Sequence, residues 1–157
     1  MDVASFAEIE EKFKETTQRV VWCTVTTMDR QNRPRSRILH PVWDGTTGWI
    51  ATGRESHKAK HIANNPFVSL SYWDQQHEQV QVECKAEWAD DQAAKDQLWN
   101  LLKTTPEPVC YDPVAFWPSA EDPSFGALQL TPWRIEVWSV GAMSSGEPPQ
   151  VWRQDVS

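Results

Sequence analysis

Residues 35–73 read RSRILHPVWDGTTGWIATGRESHKAKHIANNPFVSLSYW, and this stretch decides the fold. Arg35 to Pro41 reads as an extended strand entered through Pro34. Asp44-Gly45 through Gly48 is turn chemistry, and Gly48 to Thr52 predicts a further strand. Gly53 to Glu55 is a loop. Ser56 is then a plausible N-cap for a helix over His57 to Asn64. Asn65-Pro66 closes it, because a residue before proline resists the helical conformation. Phe67 to Tyr72 returns to strand.

Working outward, Arg19 to Thr27 (RVVWCTVTT) is rich in β-branched and aromatic residues and predicts a strand. Asp29-Arg30-Gln31-Asn32 turns it back antiparallel to Arg35–Pro41. Upstream, Ser5 and Glu8 have capping-box spacing, and Phe6, Ile9 and Phe13 share one face of a short helix ending near Lys14. Downstream, Gln79 to Trp88 predicts a strand. Asp91 to Lys103 then places Ala94, Leu98, Leu101 and Leu102 on one helical stripe. Thr104 to Ser124 is Pro-rich and reads as an excursion across the surface or onto a partner. Phe125 to Thr131 and Arg134 to Val140 predict the last two strands. Short antiparallel strands with few helices point to a mainly β fold with helices (α+β), built as a small closed or partly closed barrel. Residues 1–140 form a single domain in this reading, and 141–157 a tail that is loose or docked on a partner.

Composition narrows the function. The 157 residues suit one domain with one core. No apolar run approaches the roughly 20 residues of a membrane span, and the acidic, helix-patterned N-terminus is unlike a secretory signal, so the expectation is a cytoplasmic protein without a membrane partner. A net charge of −7 argues against nucleic acid as a partner, since phosphate backbones select basic surfaces. Cys23, Cys84 and Cys110 lie far apart without metal-ligand spacing, so no metal site is expected. Ten Trp residues ask for a large aromatic core, a subunit interface or a stacking surface for a planar ligand.

Four segments combine polar side chains with places where a backbone can bind. Arg35 and Arg37 share one face of a strand, so two guanidiniums point the same way and can neutralise a phosphate. Thr52-Gly53-Arg54-Glu55-Ser56-His57-Lys58 leaves a strand through glycine and enters a helix, which gathers free N–H groups, a positive dipole end and a lysine into a phosphate cradle. Gln79 opens a strand where its amide can read the edge of a planar heterocycle. Trp138 lies on the last strand. Each has an ordinary alternative: surface arginines, a capped helix, a strand-end amide, a core tryptophan. His40 and His57 are the histidines placed for proton chemistry, and no acid–base dyad stands out.

These residues together resemble the pyridoxamine 5'-phosphate oxidase-like family. The resemblance runs through residues 35–73, EQVQV at 78–82 and PWRIEVW at 132–138, and it covers most of 19–140. The run S-x-K-x-x-x-I-x-x-N-P-x-V-S-L is its most specific part. It implies an FMN-binding split β-barrel that works as a homodimer, with cofactor sites at the interface. Arg37 or Arg35 would meet the cofactor phosphate. The backbone of Ile38 and Leu39 would run beside the ring, with Thr52 at the strand end near it. His57, following Ser56, stands where the family often has Arg, and Lys58 matches its phosphate-binding Lys. Gln79 and Trp138 match two further cofactor contacts. The Arg-Leu-His-type substrate signature that follows the last Trp in vitamin B6 phosphate oxidases is missing after Trp138. The implied function is therefore an FMN-dependent oxidoreductase acting on another small molecule. The deazaflavin coenzyme F420 is the alternative cofactor, with Arg35, Arg37, Arg54, Lys58 and Lys60 available for its longer anionic tail. A non-catalytic flavin-binding or storage protein is the alternative function.

Overall fold

The computed structural model describes residues 1–156 and folds them around one antiparallel sheet of eight strands that curls into an open split barrel. The strands are β1 Cys23–Met28, β2 Pro34–Leu39, β3 Val42–Asp44, β4 Thr47–Gly53, β5 Phe67–Trp73, β6 Glu78–Trp88, β7 Phe125–Ser139 and β8 Gln150–Arg153. They lie in the order β2-β1-β5-β6-β7-β4-β3, and β8 pairs with β7. Alternation does the sorting. On β1, β5 and β6 every second side chain is buried, so Val25, Leu70, Tyr72, Val80 and Val82 fill the barrel while Thr24, Ser69, Ser71 and Gln81 face outward. A second apolar cluster joins Trp49, Phe125 and Ala127 to Leu98 and Leu102 of helix α3, Gln92–Thr104.

The helix at the N-terminus differs from the expectation. A 3-10 turn over Phe6–Glu8 leads into α1, Glu10–Val20, so Arg19 and Val20 are helical rather than strand. Burial of Phe13, Thr16 and Thr17 against the barrel overrides the β propensity of the sequence. The helix stops at Val21, whose φ of 67° and ψ of −62° form a γ-turn closed by the Trp22 N–H donating to the Val20 carbonyl at 2.7 Å. A β-branched residue rarely adopts this conformation, at a cost of roughly 1–3 kcal/mol.

The two strands expected at 125–131 and 134–140 are one. β7 runs 15 residues, its first half paired with β4 and its second with β8, while β6 spans both. The sequence break at Thr131-Pro132-Trp133 is a bulge: Glu83 opposes Arg134 but Cys84 opposes Pro132, which leaves Trp133 over. The C-terminal tail is also not loose. After α4, Val140–Ser144, β8 adds to β7 and buries Val151 and Trp152, and the Trp152 ring meets Phe6 at 5.5 Å. The Pro-rich excursion packs on its own chain, with Val109 and Ala120 buried and the Tyr111 N–H donating to the Leu102 carbonyl at 2.9 Å. Gly126 on β7 lets β4 approach: a Cβ there would lie 2.6 Å from the Thr52 carbonyl oxygen.

Candidate functional site

β2 is an edge strand, and its side chains alternate between two environments. Arg35, Arg37 and Leu39 share one face. Ile38 takes the other and is 59% exposed. Across the pairing with β1, Arg37 opposes Val25 and Arg35 opposes Thr27. The Arg37 Nη1 donates to the Val25 carbonyl at 3.2 Å and to Thr27 Oγ1 at 2.8 Å. Thr27 Oγ1 lies 2.9 Å from His61 Nδ1 on α2, His57–Asn64. Because arginine only donates, the threonine hydroxyl accepts from Arg37; its remaining lone pair and its own proton let it pair with His61 Nδ1 in either ring tautomer.

The charges around this chain are alike. Burial and then the Arg35 charge push the Arg37 pKa down, and burial followed by Arg37 does the same to Lys58. His61 is held below its ordinary value by burial, Arg37 and Arg35, against an opposing pull from Asp29. Among the described residues, no carboxylate forms an ion pair with Arg37 or Lys58, and like charge is what each feels. Asp29 is committed to the β1–β2 turn, where it accepts from the N–H groups of Gln31 and Arg33 and pairs with the Arg33 guanidinium at 2.9 Å. Ser56 occupies the N-cap of α2 but makes no capping bond, and its Oγ is buried without a partner. Arg37 and Lys58, close enough to act on each other, are thus like charges, and α2 opens beside Lys58 with an unpartnered Ser56 hydroxyl at its N-cap.

The other expected residues divide. Thr52 is buried at the end of β4, two residues from the loop that leads to Ser56, and with Leu39 it lines a 480 Å³ cavity. Gln79 and Trp138 face each other across β6 and β7. They lie on the outer face, Gln79 three strands and Trp138 four strands from β2, roughly 14 and 19 Å at ordinary strand spacing. Within one chain they do not meet the cation cluster. The Trp138 Nε1 is buried without a hydrogen-bond partner. Arg54 does not join the cluster either: it forms two hydrogen bonds to Asp90, at 2.7 and 3.0 Å, and lies 4.6 Å over the Trp88 ring.

Several residues of the site escaped sequence reasoning. Thr27 follows from the hairpin register once the turn is known, and His61 stands one helical turn after His57 and Lys58. The cavity wall from Pro108 to Trp117 carries no such signal. Among the described residues, no group of His, Cys, Asp or Glu is placed to hold a metal ion, and no helix is long and apolar enough to cross a membrane.

Residues 9–139 match the pyridoxamine 5'-phosphate oxidase family. The chain is 29% identical to the pyridoxine/pyridoxamine 5'-phosphate oxidase of Pseudomonas entomophila, over 73% of this chain, and spans 64% of that relative's length. It is 25% identical to general stress protein 26 of Bacillus subtilis, over 71% of this chain and 76% of that one. Among solved structures it is similar to a protein related to general stress protein 26 from Clostridium acetobutylicum, with TM-score 0.72, 15% identity and coverage of 93% and 94% of the two chains. It is also similar to a pyridoxamine 5'-phosphate oxidase-related, FMN binding protein from Nostoc punctiforme, with TM-score 0.67, 16% identity and coverage of 98% and 100%. At those identities the two structures are likenesses of fold.

Proposed function

This chain belongs to the pyridoxamine 5'-phosphate oxidase family, and on that premise we propose that it is a homodimeric, FMN-binding oxidoreductase that does not oxidise vitamin B6 phosphates. The observation that carries the reading is the set of cations with no counter-charge, Arg37 and Lys58, beside the unpartnered Ser56 hydroxyl. In this reading Arg37, Lys58 and Ser56 hold the FMN phosphate with the first N–H groups of α2, and Arg35 and His57 border it. Thr27 and His61 keep the Arg37 guanidinium aimed. The backbone of Ile38 and Leu39 and the buried Thr52 lie beside the ring and keep water from it. When bound, the flavin supplies the transfer of a hydride or an electron pair.

Gln79 and Trp138 belong to the same site only if a second copy of the chain brings them there, which is why the proposal is a dimer. The unpartnered Trp138 Nε1 is then a donor for a ring acceptor across the interface. One feature argues against vitamin B6 chemistry: Trp138 is followed by Ser139 and the short helix α4 rather than by a basic signature for a second phosphate. FMN is favoured over coenzyme F420 because Arg54, which a longer anionic tail would recruit, is already engaged by Asp90.

The test is an absorbance titration of purified protein with FMN and, separately, with F420, followed by assay with NADH or NADPH and with pyridoxamine 5'-phosphate. Tight FMN binding, reduction by a nicotinamide donor and no turnover of the B6 phosphate are expected. Binding of F420 alone would move the protein to deazaflavin chemistry. FMN binding without any reduction would make it a flavin carrier.

A further inference from the structure

Resting on the flavin reading above, we propose that the cavity walled by Trp22, Tyr111, Phe116 and Trp117 is the binding site for a flat, uncharged aromatic molecule of two or three fused rings. The cavity encloses 480 Å³, within the range of small-ligand sites. Its inner side, Leu39, Thr52 and Gly53, borders the region assigned to the flavin ring. Its outer side comes from α1's end and from the segment between Pro108 and Trp117, which the flavin reading does not use.

Charge defines what fits. None of the lining residues is Lys, Arg, Asp or Glu. The imidazole of the lining, His40, sits between Trp22 at 5.0 Å and Tyr111 at 5.1 Å. Burial lowers its pKa and favours the uncharged ring at neutral pH, against a smaller upward pull from its hydrogen bond to the Val109 backbone. A phosphate or carboxylate would be desolvated here without compensation. The polar groups of the lining residues are the Thr52 and Tyr111 hydroxyls, the Cys110 thiol and the unpartnered His40 Nε2, enough to orient a neutral ring substituent.

Shape defines the rest. Ring contacts run unbroken from Trp22 through His40, Tyr111 and Phe116 to Trp117, each pair 5.0–5.8 Å apart. At the rim Phe116 is 70% exposed and Trp22 58%. The strained γ-turn at Val21 stands directly before Trp22, with Val21 buried and Trp22 exposed. Strained backbone beside large exposed rings at the mouth of an uncharged cavity points to a stacking partner that arrives from solution.

The experiment is isothermal titration of the FMN-loaded protein, flavin oxidised, with 2-naphthol and with naphthalene-2-sulfonate, the same ring carrying a negative charge. The neutral ring should bind at least about tenfold more tightly than the sulfonate. Trp22→Ala and Phe116→Ala should each weaken it by about five- to tenfold, the worth of one aromatic contact, with FMN affinity unchanged. Both side chains are exposed, so the variants should keep the fold, checked by circular dichroism. Equal or tighter sulfonate binding overturns the proposal, as does unchanged 2-naphthol affinity in the double variant. Sedimentation of the double variant guards the remaining reading: loss of the dimer, with no 2-naphthol binding by the parent protein, assigns the rim to contact between copies and overturns it too. A parent protein that takes up no FMN but binds 2-naphthol in a Trp22- and Phe116-dependent way would sink the flavin reading and leave the cavity's ligand class standing.

Discussion

Arg37 on β2 and Arg134 on β7 belong to one sheet and live in opposite surroundings. Arg134 reaches Glu83 at 3.4 Å and also bonds Glu136, with all three side chains mostly buried. Burial works against its charge, but the hydrogen bond to Glu136 and the attraction of both carboxylates more than offset it, and its pKa rises. Arg37 has burial and another arginine, and its pKa falls. The chain carries 22 acidic residues against 15 Lys and Arg, so a shortage of carboxylates cannot explain the difference. Arg134 contributes to the fold by itself. Arg37 and Lys58 cost the fold something that an arriving phosphate would offset.

The largest effect that would break this contrast is on ligand binding. Replacing Arg37 and Lys58 together by Ala should weaken FMN by about 100-fold or more, since hydrogen bonds to charged groups are worth roughly 1.5–3 kcal/mol each. The same variant should melt no lower than the parent, because like charges have been removed. A flavin fluorescence titration within threefold of the parent, or a clear drop in melting temperature, would erase the distinction.

Arg134→Ala should behave the other way round. It leaves Glu83 and Glu136 as neighbouring, mostly buried carboxylates and should cost about 1–3 kcal/mol in urea unfolding. A neutral result would mean that the β6–β7 cluster is surface decoration.

A smaller effect sharpens the site itself. Thr27→Val keeps the shape but removes the acceptor 2.8 Å from Arg37. The bond acts on FMN only through the aim of Arg37, so a loss of about three- to tenfold in FMN affinity is expected, recovered by Thr27→Ser. If Thr27→Ser is as weak as Thr27→Val, the hydroxyl is not what aims Arg37.

How much of this was legible in the sequence depends on which force set each element. The helix His57–Asn64 matched its predicted bounds because local signals, an N-cap serine and Asn-Pro, bracket it. The placement of the residues proposed to hold a phosphate was visible for the same reason: Arg35 and Arg37 share one face of a strand, and Ser56 and Lys58 open a helix. Elements set by long-range packing were misread. Arg19 and Val20 have strand propensity but complete a helix whose buried face lies on the barrel. Gln150–Arg153 looked like tail because a four-residue strand carries almost no pattern, and only the open edge of β7 makes it one. Pro132 suggested two strands where a bulge keeps one. The cavity wall was invisible, since Trp22, Tyr111 and Phe116 are joined only by the fold.

The mildest prediction uses the proton at His61 to ask whether phosphate arrives beside it. In the free protein, burial, Arg37 and Arg35 hold His61 below the ordinary value of 6.5, so the folded ring binds its proton less readily than the unfolded one. Its contribution to stability is therefore present above about pH 6.5 and lost as pH falls through the window beneath it. His40, lowered by burial, acts in the same direction. A bound phosphate would oppose the field of Arg35 and Arg37 and raise His61 again, so His61 should take up a fraction of a proton as FMN binds near pH 6. The phosphate monoester, whose own second pKa is about 6, gives up protons among these cations, so the signal is the difference between the parent and His61→Gln. Titration calorimetry in two buffers of different ionisation enthalpy reads the net exchange of each, and the parent should take up more. No difference would separate His61 from the phosphate, and the cations of β2 would then need a different anion to explain them.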